Sequence, residues 1–292
     1  MQKTLRKYFA FFALPTFAAF TIAFIIPFIM GVYLSFTEFT TVSDARWVGF
    51  SNYTKIFTES RDFINALWFT IRFTIVSVIS INVLAFLLAL LLTKKIKGTN
   101  IFRTIFFMPN LIGGIVLGYI WQLIINGVLI KFGVDITFDA KYGFWGLVIL
   151  MNWQMIGYMM IIYIAGIQNL PGDVLEAARI DGANAFQTLG RVTIPLLMPS
   201  ITICSFLTLT NSFKLFDQNF ALTGGAPGKE TQMLALDIYN TFYGRTGYEG
   251  VGQARRSSNS GTYKNKPCDI YLADYYFSYI YCTCYYCSYK FI

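Results

Sequence analysis

Residues 169–183 read Asn-Leu-Pro-Gly-Asp-Val-Leu-Glu-Ala-Ala-Arg-Ile-Asp-Gly-Ala, and the segment closes on Val192-Thr193-Ile194-Pro195. It is a polar pause between two long apolar runs, Phe144–Ile167 and Leu196–Phe216. Pro171 can open a helix, and Asp173 and Glu176 suit the positive end of its dipole. Gly182 stops that helix by taking a left-handed conformation after it. A second short helix, about Ala185 to Val192, is expected to end before Pro195, because the residue ahead of a proline avoids helical geometry. Ala177 and Ala178 leave a flat surface that a partner can approach closely, and Glu176 and Arg179, three apart, share a face. The expectation is a pair of short helices outside the bilayer, strung between two spans.

Working outward, five apolar segments are long enough to cross a membrane: Phe12–Leu34, Leu67–Leu92, Ile105–Ile125, Phe144–Ile167 and Leu196–Phe216. In lipid a lone segment satisfies its backbone only as a helix, so the fold class is all-α and polytopic. Composition agrees. Of the 292 residues 55% are hydrophobic and 13% charged, against about 25% charged in soluble domains. The first run, Phe9 to Leu34, is too long for a signal peptide's apolar core and reads as a retained span. Lys3, Arg6 and Lys7 precede it, and Lys94, Lys95, Lys97 and Arg103 fill the short loop between the second and third spans. The positive-inside rule puts both in the cytoplasm, with the N-terminus. The mixed-charge loop Thr37–Ala66 then falls outside, and Leu170–Pro195 falls in the cytoplasm. The net charge of +8 sits mainly at span ends, which speaks for topology and against nucleic acid. There is no histidine, so Ser-His, Cys-His and helical His-Glu metalloprotease chemistry are excluded.

The loop resembles a known family, the permease subunits of binding-protein-dependent ABC importers, most closely the sugar branch. That family's signature is Glu-Ala-Ala, three residues, Gly, nine residues, then Ile-x-Leu-Pro. Here stand Glu176-Ala177-Ala178, Gly182 and Val192-Thr193-Ile194-Pro195, with Asp181 and Ala183 completing the sugar branch's Glu-Ala-Ala-x-x-Asp-Gly-Ala. Trp47-Val-Gly-Phe-Ser-Asn-Tyr53, Phe107-Met-Pro109 and Leu222-Thr-Gly-Gly-Ala-Pro227 are similar to further segments of that branch. The resemblance implies a type I ABC importer permease fold in the bacterial cytoplasmic membrane. It also implies a coupling loop, about 170–195, that docks on a cytoplasmic ATPase. Glu176 would supply docking charge, Ala177 and Ala178 close packing and Gly182 the turn, with Arg179, Asp181 and Pro195 in the same coupling segment. The implied partners are a second permease, two ATPase subunits and an external solute-binding protein, all serving a chain set in the lipid bilayer. None of these residues would do chemistry, and ATP would be bound by the partners, so no cofactor is expected. Gly228-Lys229 after the Gly-Gly turn does not make a phosphate loop, because Glu230 stands where Ser or Thr is required.

Polar residues at membrane depth are candidates for a solute path. Asn152, Trp153 and Gln154 lie in the fourth segment and Asn211 and Lys214 in the fifth, with Asp217 near its outer end. Asn211, Lys214 and Asp217 recur at a spacing that permits one helix face. A sugar would suit amides and a stacking ring; packing polarity between helices, with a Lys–Asp pair at the interface, accounts for the same residues. Arg72 is expected to snorkel to the outer surface and Asn82 to hold helices together.

The family pattern calls for a sixth apolar span after Ala254. Arg255–Gly261 and a run rich in Tyr and Cys stand there instead. Tyr, Cys and Phe codons read one base later yield mostly Ile, Thr, Val, Ala and Leu, so Tyr271–Ile292 would become apolar. The organisation read here is a permease domain over 1–254 and an anomalous tail over 255–292, with a frameshift near Ala254 and the sixth helix lost or altered. The competing reading is a metal site at Cys282, Cys284 and Cys287, with Cys268 as a candidate fourth ligand, set among tyrosines without a histidine. Two other functional classes fit the chain less well. A secondary transporter would carry more spans and buried acids for ion coupling, and a membrane enzyme would need an acid–base pair that this chain lacks.

Overall fold

The computed structural model describes residues 13–38, 45–94 and 98–246. The tail over 255–292, its frameshift reading and the Cys282–Cys287 motif lie outside the described residues. Two compact units are distinguished: residues 65–236 form one, and the segments before and after them the other.

In the smaller unit, α1 (Ala13–Ser35) is the first span. Its ladder widens to a π-turn over Thr21–Ile25, where the Ile26 amide donates to the Thr21 carbonyl. Pro27 is the cause, since its ring crowds the carbonyl one turn back and it has no amide to offer. The span runs into a two-residue hairpin, β1 (Thr37–Glu38) against β2 (Arg46–Trp47), with Thr37 facing Trp47 and Glu38 facing Arg46. A short helix follows, α2 (Ser51–Glu59).

The larger unit is built on α3 (Arg61–Thr93), 33 residues long, or roughly 50 Å at 1.5 Å per residue. Its packed face is small and polar: Ala66, Thr70, Thr74, Ser77, Ala85 and Ala89, with Phe73 and Ile81 between them. Ile75, Ile79, Val83, Leu87 and Leu91 are exposed on the opposite side. That is the membrane pattern, in which small residues let helices approach and large apolar ones face lipid. Arg72, expected to snorkel, lies with its guanidinium 5.2 Å from the Trp68 ring centre, a cation–π arrangement.

Next come α4 (Thr99–Phe107), a 3-10 turn over Met108–Leu111, and α5 (Gly114–Leu129). This corrects the third span. The apolar run Ile105–Ile125 is not one helix, because Pro109 tightens the turn, Ile112 is extended and Gly113 stands before a new helix. The crossing segment is Gly114–Phe132. Hydropathy does not see the break, since none of these breakers is charged.

The most enclosed span is α6 (Ala140–Gln168), opened by the Asp139 carboxylate accepting from the Lys141 amide at 2.9 Å. Leu147, Leu150, Met151, Met159, Met160 and Tyr163 on it form the centre of the buried core. Gly157 lets α4 in so closely that a Cβ there would fall on the Phe106 carbonyl.

After α6 come α7 (Gly172–Ile180) and α8 (Ala185–Leu196), then a bend of 70° into α9 (Met198–Phe213). The helix expected to end before Pro195 runs through it. A second π-turn over Leu189–Thr193 absorbs the proline, with the Ile194 amide donating to the Leu189 carbonyl. As at Pro27, the ladder is widened and the helix continues. A short α10 (Asp217–Leu222) packs on α5, where Gly114 meets Asp217 and Gln218 and Gly118 meets Ala221. The Gln122 amide donates to the Leu222 carbonyl at 3.0 Å. The last element, α11 (Leu234–Thr246), begins in this unit and belongs to the smaller one from Asp237 on. Four described helices are long and apolar enough to cross a membrane, and five if the bent pair counts as one span.

Candidate coupling loop and polar interior

The loop geometry is fixed by two local devices. At the end of α7 the Ala183 amide donates to the Ala178 carbonyl at 3.0 Å and the Gly182 amide to the Arg179 carbonyl at 3.1 Å. This double bond pattern is a Schellman stop, and Gly182 makes it at φ 77°, where a Cβ would be strained. At the start of α8, Asn184 and Gln187 exchange bonds: the Gln187 amide donates to Asn184 Oδ1 at 2.8 Å, and the Asn184 amide to Gln187 Oε1 at 2.9 Å. That reciprocal cap satisfies two orphan donors at the new helix start. The turn from one helix to the next is thus specified by Gly182, Asn184 and Gln187.

Most of the expected coupling residues sit together on this unit. Glu176, Ala177, Arg179 and Asp181 are exposed, with Asp181 capping α7. Ala178 is only 9% exposed, so the two alanines do not form one outward surface. Pro195 lies at the far end of α8 and shapes the π-turn instead of ending the helix. Sequence reading passed over two residues here: Ile180 is 82% exposed and Phe186 87% exposed. A large apolar side chain at the tip of a polar loop was itself the signal.

The interior candidates do not converge. Residues 152, 153 and 154 follow one another on α6, about 100° apart around the axis, and point three ways. Asn152 Nδ2 donates to Ser80 Oγ on α3 at 3.0 Å and to the Val148 carbonyl at 2.7 Å. Its Oδ1 is buried and has no partner among the described residues. Gln154 turns toward α10, where its Oε1 accepts from Gln218 Nε2 at 2.7 Å. The Trp153 ring meets Trp121 of α5 edge to face at 5.6 Å and is 43% exposed. Asn211, Lys214 and Asp217 do not share a helix face, because α9 stops at Phe213 and α10 begins at Asp217. All three are half-buried around that break.

Two polar groups that the sequence reading did not rank hold the interior together. The Tyr163 hydroxyl donates to Asn82 Oδ1 at 2.8 Å, and Asn82 Nδ2 donates to Thr208 Oγ1 at 3.4 Å, tying α6, α3 and α9. Asn82 thus links helices, as expected of it. The fully buried Asn219 organises the Gly-Gly turn, donating to the Thr231 carbonyl at 2.8 Å and accepting the Met233 amide at 3.0 Å. Among the described residues, no group of three or more His, Cys, Asp or Glu side chains is placed to hold a metal.

Apolar helices with small packed faces, and a short helix pair between two of them, define a polytopic helical membrane protein. Residues 81–248 match the family described as binding-protein-dependent transport system inner membrane component, and the chain belongs to that family. It is therefore the multi-pass permease of an ATP-driven importer, set in the inner membrane, as the signature implied. Over 252 residues it is 44% identical to the "probable starch degradation products transport system permease protein AmyD" of Thermoanaerobacterium thermosulfurigenes, covering 84% of this chain and 86% of that one. It is 32% identical to the "multiple sugar-binding transport system permease protein MsmF" of Streptococcus mutans, covering 82% and 86%. These relatives are transport permeases. A bacterial ABC transporter that imports the acidic polysaccharide alginate has a chain of the same fold, with a TM-score of 0.70 at 18% identity over 100% of this chain and 99% of that one. The fold is the type I importer permease fold.

Proposed function

We propose that this permease forms a path for a carbohydrate or related small polar solute. It would pair with a second permease, receive solute from an external binding protein, and take its motion from two cytoplasmic ATPase subunits through Leu170–Pro195. The observation that carries this reading is the α7–α8 pair: its angle is fixed by the Schellman stop and the reciprocal cap, and it holds Ile180 and Phe186 out into water. A stiff element transmits a push, and exposed apolar side chains at its tip give a groove something to grip. Glu176 and Arg179 supply charge beside them, Ala177 lets the partner close in, and Ala178, Asp181, Gly182 and Pro195 set the shape of the loop. The basic flanks of the first and second spans support a cytoplasmic N-terminus and a cytoplasmic loop.

The solute class is supported by the relatives' names and by the α9–α10 break. Irregular backbone in a membrane protein is tolerated where it lines a cavity or is enclosed in protein. Asn211, Lys214 and Asp217 around that break, with Asn152 and its unmatched Oδ1, are the residues we assign to the path. Trp153 and Gln154 are given packing roles. The chain carries out no bond chemistry and holds no cofactor in this reading, with ATP hydrolysis left to the partners.

The test is to assemble the importer with Glu176→Lys or Phe186→Ala in this chain. The expected result is normal insertion and spans of unchanged stability, with weakened ATPase capture and solute-stimulated hydrolysis reduced about tenfold, the effect of roughly 1.4 kcal/mol. Full assembly and full uptake in both variants would end the coupling assignment.

A further inference from the structure

The first span ends in an aromatic cluster that the transport reading does not use. Tyr33, in the last turn of α1, has its ring centre 5.9 Å from that of Trp47 on β2. Phe36 stacks on Trp47 at 5.4 Å and meets Phe50 edge to face at 5.3 Å, and Tyr53 closes the group at 5.5 Å from Phe36. The cluster is held from beneath. Asn52 is buried and donates to the Ser35 and Thr37 carbonyls at 3.1 and 3.0 Å, and the Tyr53 hydroxyl and Ser35 Oγ are 2.8 Å apart. The hairpin and α2 are thereby fastened to the end of the span. On this support Trp47 is 64% and Phe50 71% exposed.

We propose that Trp47 and Phe50 form an interfacial anchor that seats the end of the first span in the lipid headgroup layer. Depth is the first argument. The span has 23 residues, roughly 35 Å of helix, against a hydrocarbon core of about 30 Å. Its final turn, with Tyr33, therefore sits at the hydrocarbon boundary, and Trp47 lies at the depth of Tyr33 because the two rings touch. Continuity is the second. Ile26, Ile29 and Tyr33 fall on one face of α1 and are all exposed, so the apolar lipid-facing stripe runs without a gap onto the Trp47 ring. Trp and Tyr are the residues enriched at this level, with an apolar body and a polar edge. Arg46, which alternates with Trp47 along the strand, is exposed on the other side.

A sugar platform is the competing use of exposed rings, and the hydrogen bonding argues against it. The amide of Asn52 and the hydroxyls of Tyr53 and Ser35 all bond inward, which leaves the Trp47 indole N–H and the Tyr33 hydroxyl as the cluster's outward polar edge, the pattern of rings at a lipid interface and too few donors for a hydroxyl-rich ligand.

The experiment compares the full chain with its Trp47→Phe variant, both reconstituted in phosphatidylcholine vesicles. The fluorescence difference isolates Trp47 from the four other tryptophans and keeps a ring in the cluster. The expected difference signal is blue-shifted, shielded from aqueous iodide, and quenched more by lipid brominated high on the acyl chain than by lipid brominated near its end. Ready quenching by iodide, with no effect of brominated lipid, would overturn the anchor. Iodide protection gained only on adding a solute-binding protein would overturn it too, and would give the surface to that partner. A signal that neither quencher reaches would place Trp47 inside the protein and would also overturn the proposal.

Discussion

The core around α6 and the α7–α8 loop are adjacent in sequence and opposite in design. On α6 the mid-span polar side chains are drawn inward and bonded to a neighbouring helix, Tyr163 to Asn82, Gln154 to Gln218 and Asn152 through its Nδ2 to Ser80, with Asn152 Oδ1 left unmatched among the described residues. In the loop the side-chain bonds serve only to hold backbone geometry, and Glu176, Arg179, Ile180 and Phe186 are offered to the surroundings. The difference separates two meanings of a polar residue in a membrane protein. An amide on a span is first a means of joining helices, since an unmatched polar group in hydrocarbon is costly. A charge or a large apolar group in the polar loop has no such obligation, so its exposure points to a partner.

Two glycines put the largest numbers on that contrast. Gly157→Ala places a methyl group on the Phe106 carbonyl. A main-chain carbonyl on a packed helix cannot step aside as a flexible side chain can, so α4 and α6 must separate, at a cost of about 3 kcal/mol or more. The expected outcome is poor accumulation and early thermal unfolding of the purified complex. A variant that melts with the parent would mean that the backbone of α4 does not rest on Gly157. Gly182→Ala meets nothing within 4 Å, yet forces a side chain into the left-handed region, at about 1–2 kcal/mol. That cost is confined to the turn. Melting of the core is expected to be unchanged while ATPase coupling falls, and the two readouts from one variant separate loop geometry from fold. Coupling that survives while the core weakens would reverse the contrast.

How much of this was legible beforehand differs along the same line. The loop could be read because its signals are local: a Pro–Gly start, Asp173 in the first turn, and a glycine at the stop. The structure places each within a residue or so, and Gly182 carries the positive φ expected of it. The inner faces could not be read. A hydropathy window joins Ile105 to Ile125 because Pro109, Gly113 and Gly114 interrupt a helix without interrupting apolarity. Asn152, Trp153 and Gln154 look like a cluster in one dimension, but a helix turns them to three neighbours. Spacing alone would put Asn211, Lys214 and Asp217 on a common face, and the end of α9 at Phe213 removes it. Gln218 was passed over because its importance lies in a contact 64 positions away in sequence. Pro195 shows the same limit in reverse, since the rule that proline ends helices yields where one wider turn can absorb it.

The smallest expected effect tests the interior half of the contrast directly. Gln154→Leu or Gln218→Leu each leaves the other amide buried without its 2.7 Å partner, and each is expected to destabilise the complex by about 1 kcal/mol, within the range measured for side-chain bonds between membrane helices. The double replacement removes both ends of the bond and is expected to recover most of that loss, because two apolar groups of similar shape leave nothing unsatisfied. Gln154 keeps one further bond, from its Nε2 to the Ile112 carbonyl at 3.4 Å, so recovery should be partial and the residue should come from that carbonyl. Stability and solute uptake must be followed together in the four proteins of this cycle. If the amides only join α6 to α10, uptake returns with stability in the double variant. If Gln154 instead meets the solute, stability returns and uptake does not, and the polar core of α6 would then share the loop's character of residues held ready for something outside the chain.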